Sequence, residues 1–429
     1  MAEAAKFIMS APVTARNATL QDAGNDENSA RRIFVAARRP LHSDESGLVL
    51  RAERVAAIAA AHAAAVDRES RFPREAIEAM RAERLMGVAI ERELGGEGAS
   101  LSDVADICYT LGRYCASTAM IYAMHQATVA CLVRHGKTTN WHQGLLRRLS
   151  SEQLLLASST TEGQAGGDVR NSAGAVSRSD AGIALERQAT VISYGAAADA
   201  IVTTARRSAE AASGDQVLVV FLKGDYALES IAGWDAFGMR GTCSEGFKLT
   251  ARGRSEQILP ASYGEIHVHT MVPVAHLLWS AAWAGIAAAA ADRARAFVRR
   301  AVHRPGGSLP PGAKHLTRAN ASMRMLRSLI AGALQRFETI SNDPSALEAV
   351  DFQTAMNLLK VNASELAVET VMSAMQACGL SGYRNDGEFS VGRHLRDILS
   401  SPIMISNDRI LNNVAGSSLL SGAPRSLRD

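Results

Sequence analysis

Residues 376–410 read QACGLSGYRNDGEFSVGRHLRDILSSPIMISNDRI, and the rest of the chain is interpreted from them. The head of this stretch continues a long apolar helical pattern. The pattern breaks at Gly379 and Gly382, where a positive φ costs little. It returns over about residues 391–399 and stops at Pro402. A helix, a glycine break and a short polar loop can bring backbone close to a flat or phosphorylated ligand.

Working outward, the chain of 429 residues is long enough for two or three domains around a large core. Hydrophobic residues make up 47% and charged residues 21%, the composition of an ordinary globular protein. The net charge of +3, from 46 basic and 43 acidic residues, gives no electrostatic case for nucleic acid. Cys108, Cys115, Cys131, Cys243 and Cys378 are scattered, odd in number and without a CxxC, and read as reduced core residues. No apolar run looks long enough to span a membrane. The longest, residues 277–291, is Ala-rich and reads as a bundle helix. With no basic-then-apolar leader at the start, the expected location is the cytoplasm.

Residues 1–45 lack periodicity and read as a flexible extension. A helical region follows over 46–150. It starts near Leu48, has Pro73 at the head of a second helix, a glycine loop over 88–100, and Ser102 and Asp103 as caps of the next helix. From 151 to 265 the pattern turns to strands, expected at 190–193, 200–204, 217–222, 247–250 and 266–269, as a small β-barrel or sandwich. The run SSTTEGQAGGDV, residues 158–169, places hydroxyls before a glycine loop and so offers hydrogen-bond donors. Residues 266–429 read as a helical bundle. Pro273 opens an interior helix, and Phe352, Met356, Leu359, Ala363, Leu366 and Thr370 mark another at spacings of four and three. The fold class is therefore α+β and multidomain: helical domain, barrel domain, four-helix bundle.

These pieces, in matching order over roughly residues 48–415, resemble the acyl-CoA dehydrogenase family. Gln376, Gly379, Gly382 and Tyr383 fit its Gln-x-x-Gly-Gly-x-Gly-[Phe/Tyr] run, and Arg396-Asp397 fits the Arg-Asp pair that follows. Thr161, Glu162, Ala165, Gly166, Asp168 and Val169 fit its flavin loop, with Gly163 and Gly167 in place of Pro and Ser. The segment 234–247, WDAFGMRGTCSEGF, is similar to its Gly-Met-Arg strand entry.

The resemblance implies FAD as cofactor, or FMN in a monooxygenase. It places cofactor contacts on Ser159, Thr160, Thr161, Gly167 and Ser193. Gln376 and Gly379 would reach the flavin of a neighbouring subunit, and Asn407 and Arg409 the adenosine side. The flavin-shielding Trp of many members falls on Val191 or nearby. The family's Arg-x-x-Phe-Gly motif is missing at 301–305, leaving Arg300 or Arg304 as replacements.

The family's catalytic Glu, which removes the proton α to a thioester carbonyl, takes one of two positions. They fall here on Ile405 and Ala275, and neither accepts a proton. His276, beside the second, is the candidate base, although one step along a helix turns a side chain by about 100°. Glu162 reads as structural and Asp408 as a helix cap. His267 and His269 would share a strand face, but no third ligand stands at a sensible spacing, so no metal is expected.

Three functions remain open. The first is α,β-dehydrogenation of an acyl thioester, on CoA or a carrier protein, with a non-standard base and an electron-transfer flavoprotein as partner. The second is a monooxygenase supplied with reduced flavin by a reductase. The third is a scaffold without chemistry. Each comes with a homo-oligomer, a tetramer or dimer, and none with nucleic acid or a membrane.

Overall fold

The described residues begin with helices because apolar residues recur there at three and four. The structure is a computed structural model that describes residues 43–163 and 169–419. The first helices are α1 (Ser43–Glu69), α2 (Arg74–Ala82), α3 (Leu101–Gly112), α4 (Ala116–His135) and α5 (Asn140–Glu152). α1 begins five residues before the expected Leu48. The cap of α3 is Ser100, not Ser102. The Ser100 hydroxyl accepts from the Asp103 N–H while the Asp103 carboxylate takes the Ser100 N–H, so both orphan donors are satisfied.

Among the described residues seven strands follow: β1 (Leu156–Ser159), β2 (Ser177–Ser179), β3 (Gly182–Ser193), β4 (Ala200–Arg206), β5 (Gln216–Leu222), β6 (Tyr226–Ala232) and β7 (Ser244–Gly253). They form a three-stranded sheet, β1-β4-β5, and a four-stranded sheet, β2-β3-β7-β6. β1 runs parallel to β4, and every other pairing is antiparallel. Single bridges from Glu162 to Ala189 and from Ala175 to Arg206 stitch the two sheets together. Leu185, Val219, Phe221 and Leu249 share one core between them.

The expected strand at 266–269 is helical. α6 (Tyr263–Ile266) passes through one wide π-type turn, His267–Met271, into α7 (Val272–Val302). Ile-His-Val-His alternates like a strand, yet the segment extends a helix that Ser262 caps, and this continuity prevails. Then come α8 (Ala313–Ile340), α9 (Pro344–Glu348), α10 (Val350–Cys378), α11 (Leu380–Tyr383), α12 (Gly392–Ile398) and α13 (Asn407–Ser418). The expected third bundle helix and the head of residues 376–410 are thus one helix, α10. Gly379 ends it with φ of 56°. Gly382 needs no positive φ; a Cβ there would lie 2.6 Å from that of Cys378.

Among the described residues two helical stretches, Ala116–His135 and Tyr263–Val302, are long and apolar enough to cross a membrane, which corrects the sequence expectation. Their most apolar windows are 83% and 94% buried inside the protein, so that apolarity is used in the core. α3 and α7 cross at Gly112 and Gly285, where a Cβ on Gly285 would lie 2.2 Å from the Tyr109 carbonyl oxygen. All five cysteines are free, four of them buried.

Candidate active site

Two strand ends carry the hydroxyls that the sequence singled out. β1 ends at Ser159 and continues through Thr160 and Thr161 to Glu162, which bridges to Ala189 on β3. Ser193 closes β3 just past a bulge between Ala189 and Ile192. Ser159 is buried, and its hydroxyl has no partner within the protein. Thr160, Thr161 and Ser193 are half-buried. An orphaned hydroxyl beside three partly open ones suits the oxygen- and nitrogen-rich edge of a flavin. Gly167 lies outside the described residues.

Glu162 is held rather than free. Its carboxylate faces the Arg187 guanidinium at 3.1 Å and accepts from Gly174 N–H, Ala173 N–H and the Ser172 hydroxyl. Arg187 also donates to the Ser159 carbonyl at 3.0 Å and to Thr203 Oγ1 at 2.9 Å. Burial pushes the Arg187 pKa down to about 10, against the pull of Glu162. The pair therefore ties the hydroxyl strand to its neighbours.

The two positions expected for the base converge on α10. Ala275 and His276 are buried on α7. His276 Nδ1 lies 2.9 Å from the Met356 carbonyl. A carbonyl only accepts, so Nδ1 carries the hydrogen and Nε2 holds the lone pair of a neutral ring. Burial lowers this pKa to about 4, the Lys360 charge adding to the effect.

One turn beyond Met356, Lys360 is fully buried. Its ammonium donates to the Ile405 carbonyl and to Asn407 Oδ1, both at 2.7 Å. It also lies 5.8 Å from the centre of the Trp283 ring. Burial lowers its pKa to about 7. Ile405 itself adopts φ of 51°, which a β-branched residue avoids. The Ile405 position thus offers an apolar side chain above a cation.

Asn407 is buried with its amide committed, since Nδ2 donates to Ser364 Oγ at 3.0 Å. Arg409 is exposed on α13, and Ser406, not Asp408, caps that helix by accepting the Arg409 N–H. Gln376 and Gly379 are exposed at the end of α10, beside exposed Leu380 and Tyr383. Arg300 pairs with Glu388 and covers the Phe389 ring, while Arg304 is exposed. His269 is buried in a helix and pairs with Glu348 at 2.8 Å, so His267 and His269 share no strand face.

The Gly-Met-Arg entry and the Arg-Asp pair meet. The buried Asp397 carboxylate accepts the Met239 N–H at 2.8 Å. Arg396 donates to the Phe237 carbonyl and pairs with Asp67 of α1. Gly238 passes so close that a Cβ would lie 2.0 Å from the Arg396 carbonyl oxygen. Models of the acyl-CoA dehydrogenase N-terminal and C-terminal domains match residues 50–152 and 270–419, together more than half of the chain.

The chain belongs to the acyl-CoA dehydrogenase family. It is a flavin oxidoreductase of that family, with the family's fold of helical domain, central sheet region and helical domain. Cyclohex-1-ene-1-carbonyl-CoA dehydrogenase of Geobacter metallireducens is 27% identical over 361 residues, 83% of this chain and 92% of that protein. L-evernosamine nitrososynthase of a Micromonospora species is also 27% identical, over 360 residues, 80% and 82% of the two chains. The FMN-bound structure of TdsC, a dibenzothiophene monooxygenase of a Paenibacillus species, superimposes with a TM-score of 0.74 at 18% identity, covering 88% of this chain and 98% of that one.

Within this family member the sequence reading missed Lys360 and Ser244. Lys360 sits at i+4 from Met356 on the buried face of α10, a cation inside an apolar stripe. That position was the available signal.

Proposed function

We propose that this acyl-CoA dehydrogenase family member is a flavin-dependent monooxygenase that receives reduced FMN from a separate reductase and oxygenates a small molecule. The Lys360–Ile405 contact carries this reading. Where the resemblance puts a carboxylate base, the loop holds an isoleucine whose carbonyl is bound by a buried ammonium. Ile405 brings no carboxylate to take a proton from a substrate carbon, and the Lys360 Nζ is committed to the Ile405 carbonyl and Asn407. Reduced flavin, when bound, supplies the electrons that activate dioxygen.

The chain's own residues then hold and orient. Ser159, Thr160, Thr161 and Ser193 face the flavin edge, and the Glu162–Arg187 pair keeps their strand in place. FMN is preferred to FAD because Asn407, expected at the adenosine half, is locked to Lys360 and Ser364. The absence of the Arg motif at 301–305 points the same way. The exposed Gln376, Leu380 and Tyr383 suit a subunit contact, so we assign a homo-oligomer, working in the cytoplasm.

The second reading, α,β-dehydrogenation of an acyl thioester with electrons passed to an electron-transfer flavoprotein, draws on His276. Its Nε2 carries a lone pair one residue along α7 from the Ala275 position, but a pKa near 4 makes it a weak base at neutral pH. Purified protein is tested in two ways: anaerobic titration with an acyl-CoA panel, and aerobic turnover with a flavin reductase. Bleaching of bound flavin by an acyl-CoA supports the dehydrogenase. Oxygenated product that needs the reductase supports the monooxygenase.

A further inference from the structure

The helices enclose a cavity of about 240 Å³ between α3, α4, α7 and α8. Val104, Ala130, Val133, Leu278 and Phe337 supply much of its wall. Among the described residues, none on a strand lines it. An apolar cavity of about 150 Å³ takes up benzene, so this one has room for a single ring and a short side chain.

Two features are out of place in an apolar cavity. The first is Gln126, which lines it and is 2% exposed. Its amide nitrogen donates to the Leu85 and Met86 carbonyls, both at 3.1 Å. Turning the amide over would set its oxygen against those two carbonyls, so the orientation is fixed. The amide oxygen is then left buried and without a hydrogen-bond partner among the described residues. A buried acceptor in that state costs free energy that a ligand's donor recovers.

The second feature is a pair of cations. Arg134 lies eight residues beyond Gln126, about 12 Å along α4, and Lys137 follows at the surface. Both line the same cavity. Arg134 is half-buried and donates to the Ser341 carbonyl. Burial holds its pKa below the ordinary value, and the Glu265 charge offsets this only in part. Lys137 forms an exposed pair with Glu91 at 3.1 Å, which is weakly held.

We propose that this cavity binds a small aromatic acid: a single ring with a hydrogen-bond donor toward Gln126 and a carboxylate toward Arg134 and Lys137. The Phe337 ring in the wall offers an edge or a face to such a ring. A plain hydrocarbon would leave Gln126 unpaired. The walls are helical throughout, so the site stands apart from the strand hydroxyls and from the flavin reading.

Calorimetric titration of the purified protein tests it with three probes: 3-(4-hydroxyphenyl)propanoate, 3-phenylpropanoate, which lacks the donor, and 4-ethylphenol, which lacks the acid. The first should bind with one molecule per chain. Loss of the hydroxyl or of the carboxylate should each weaken binding about tenfold. Ala130→Phe fills the cavity and should abolish binding of all three, with thermal unfolding as the check that the variant is folded. Lys137→Gln, at the surface, should weaken both acids about threefold and leave 4-ethylphenol unchanged. Saturating FMN should leave every affinity as it was. No binding of any probe leaves water as the occupant and overturns the proposal. So does binding that survives Ala130→Phe or is displaced by FMN, because the ligand then sits elsewhere. Equal affinity with and without the hydroxyl, or acid binding untouched by Lys137→Gln, overturns the assignment of Gln126 and of the cations. None of these results bears on the flavin reading.

Discussion

The Lys360 ammonium lies 2.7 Å from the Ile405 carbonyl oxygen, so the backbone at the family's usual base position is held by a buried cation on α10. The pKa of this lysine falls from 10.5 to about 7 because burial disfavours its charge. Between those values the unfolded chain binds a proton that the folded chain does not, so stability rises with pH across the window. Relative to Lys360→Met, the parent should gain about 1.4 kcal/mol per pH unit from pH 7 to 10. Urea unfolding of both proteins at pH 7 and 9 checks the slope. Parallel pH profiles would remove Lys360 as a titrating group in the fold.

Ile405 is strained by its own latch, since a β-branched residue at φ of 51° is costly. Ile405→Asn relieves that cost while losing little packing from a side chain that is 37% exposed. The variant should be more stable by about 1 kcal/mol in chemical denaturation. Lower stability would mean that the isoleucine packs against something the fold needs.

Asp397 behaves in the opposite sense to a surface carboxylate. Burial raises its pKa to about 6, although the Met239 N–H and Arg393 favour the charge. The folded chain holds a proton between pH 4 and 6 that the unfolded chain releases, so this group's contribution to stability falls as pH rises through that window. Asp397→Asn keeps an acceptor for Met239 and removes the pH dependence. Its stability at pH 7.5 should equal or exceed that of the parent. Asp397→Ala orphans the Met239 N–H and should cost about 1–3 kcal/mol.

Gly238→Ala tests the clamp between the Gly-Met-Arg turn and α12. The new Cβ, 2.0 Å from the Arg396 carbonyl oxygen, forces backbone apart on a segment that has no flexible side chain to yield. A loss of about 3 kcal/mol or more, read by thermal unfolding, is expected. A neutral effect would show that α12 is free to shift away from the turn.

Much of the architecture was written in periodicity. The spacing of Phe352, Met356, Leu359 and Ala363 predicted α10, and all four are buried. β4 and β5, AIVTTAR and QVLVVFL, are rich in β-branched and apolar residues and buried nearly throughout, and both were found. β6, YALESIA, is largely exposed and went unseen, because only Tyr226 and Leu228 turn toward the core and so short an alternation does not stand out. The segment at His267–Met271 alternates like a strand while the Ser262 cap, five residues upstream, dictates a helix.

The candidate site was legible only where motif residues carry their own chemistry. Ser159, Thr160, Thr161 and Ser193 stood out as hydroxyls in a flavin-like loop and strand end. Their partners did not, because partnership is a property of the fold. Ser244 reaches Ser193 from a strand fifty-one residues later, and Arg187 reaches Glu162 from across the sheets. Lys360 was passed over because reading an apolar stripe skips the polar residue it encloses.

The most direct test of the account is the fate of bound flavin when purified protein meets acyl thioesters without oxygen, followed by the same protein with a reductase in air. A monooxygenase, supplied with FMN, gives a flavin spectrum that no acyl-CoA bleaches, and oxygenated product only when the reductase is present. Anaerobic bleaching by an acyl-CoA, with an enoyl product, would contradict it and return the role of base to His276.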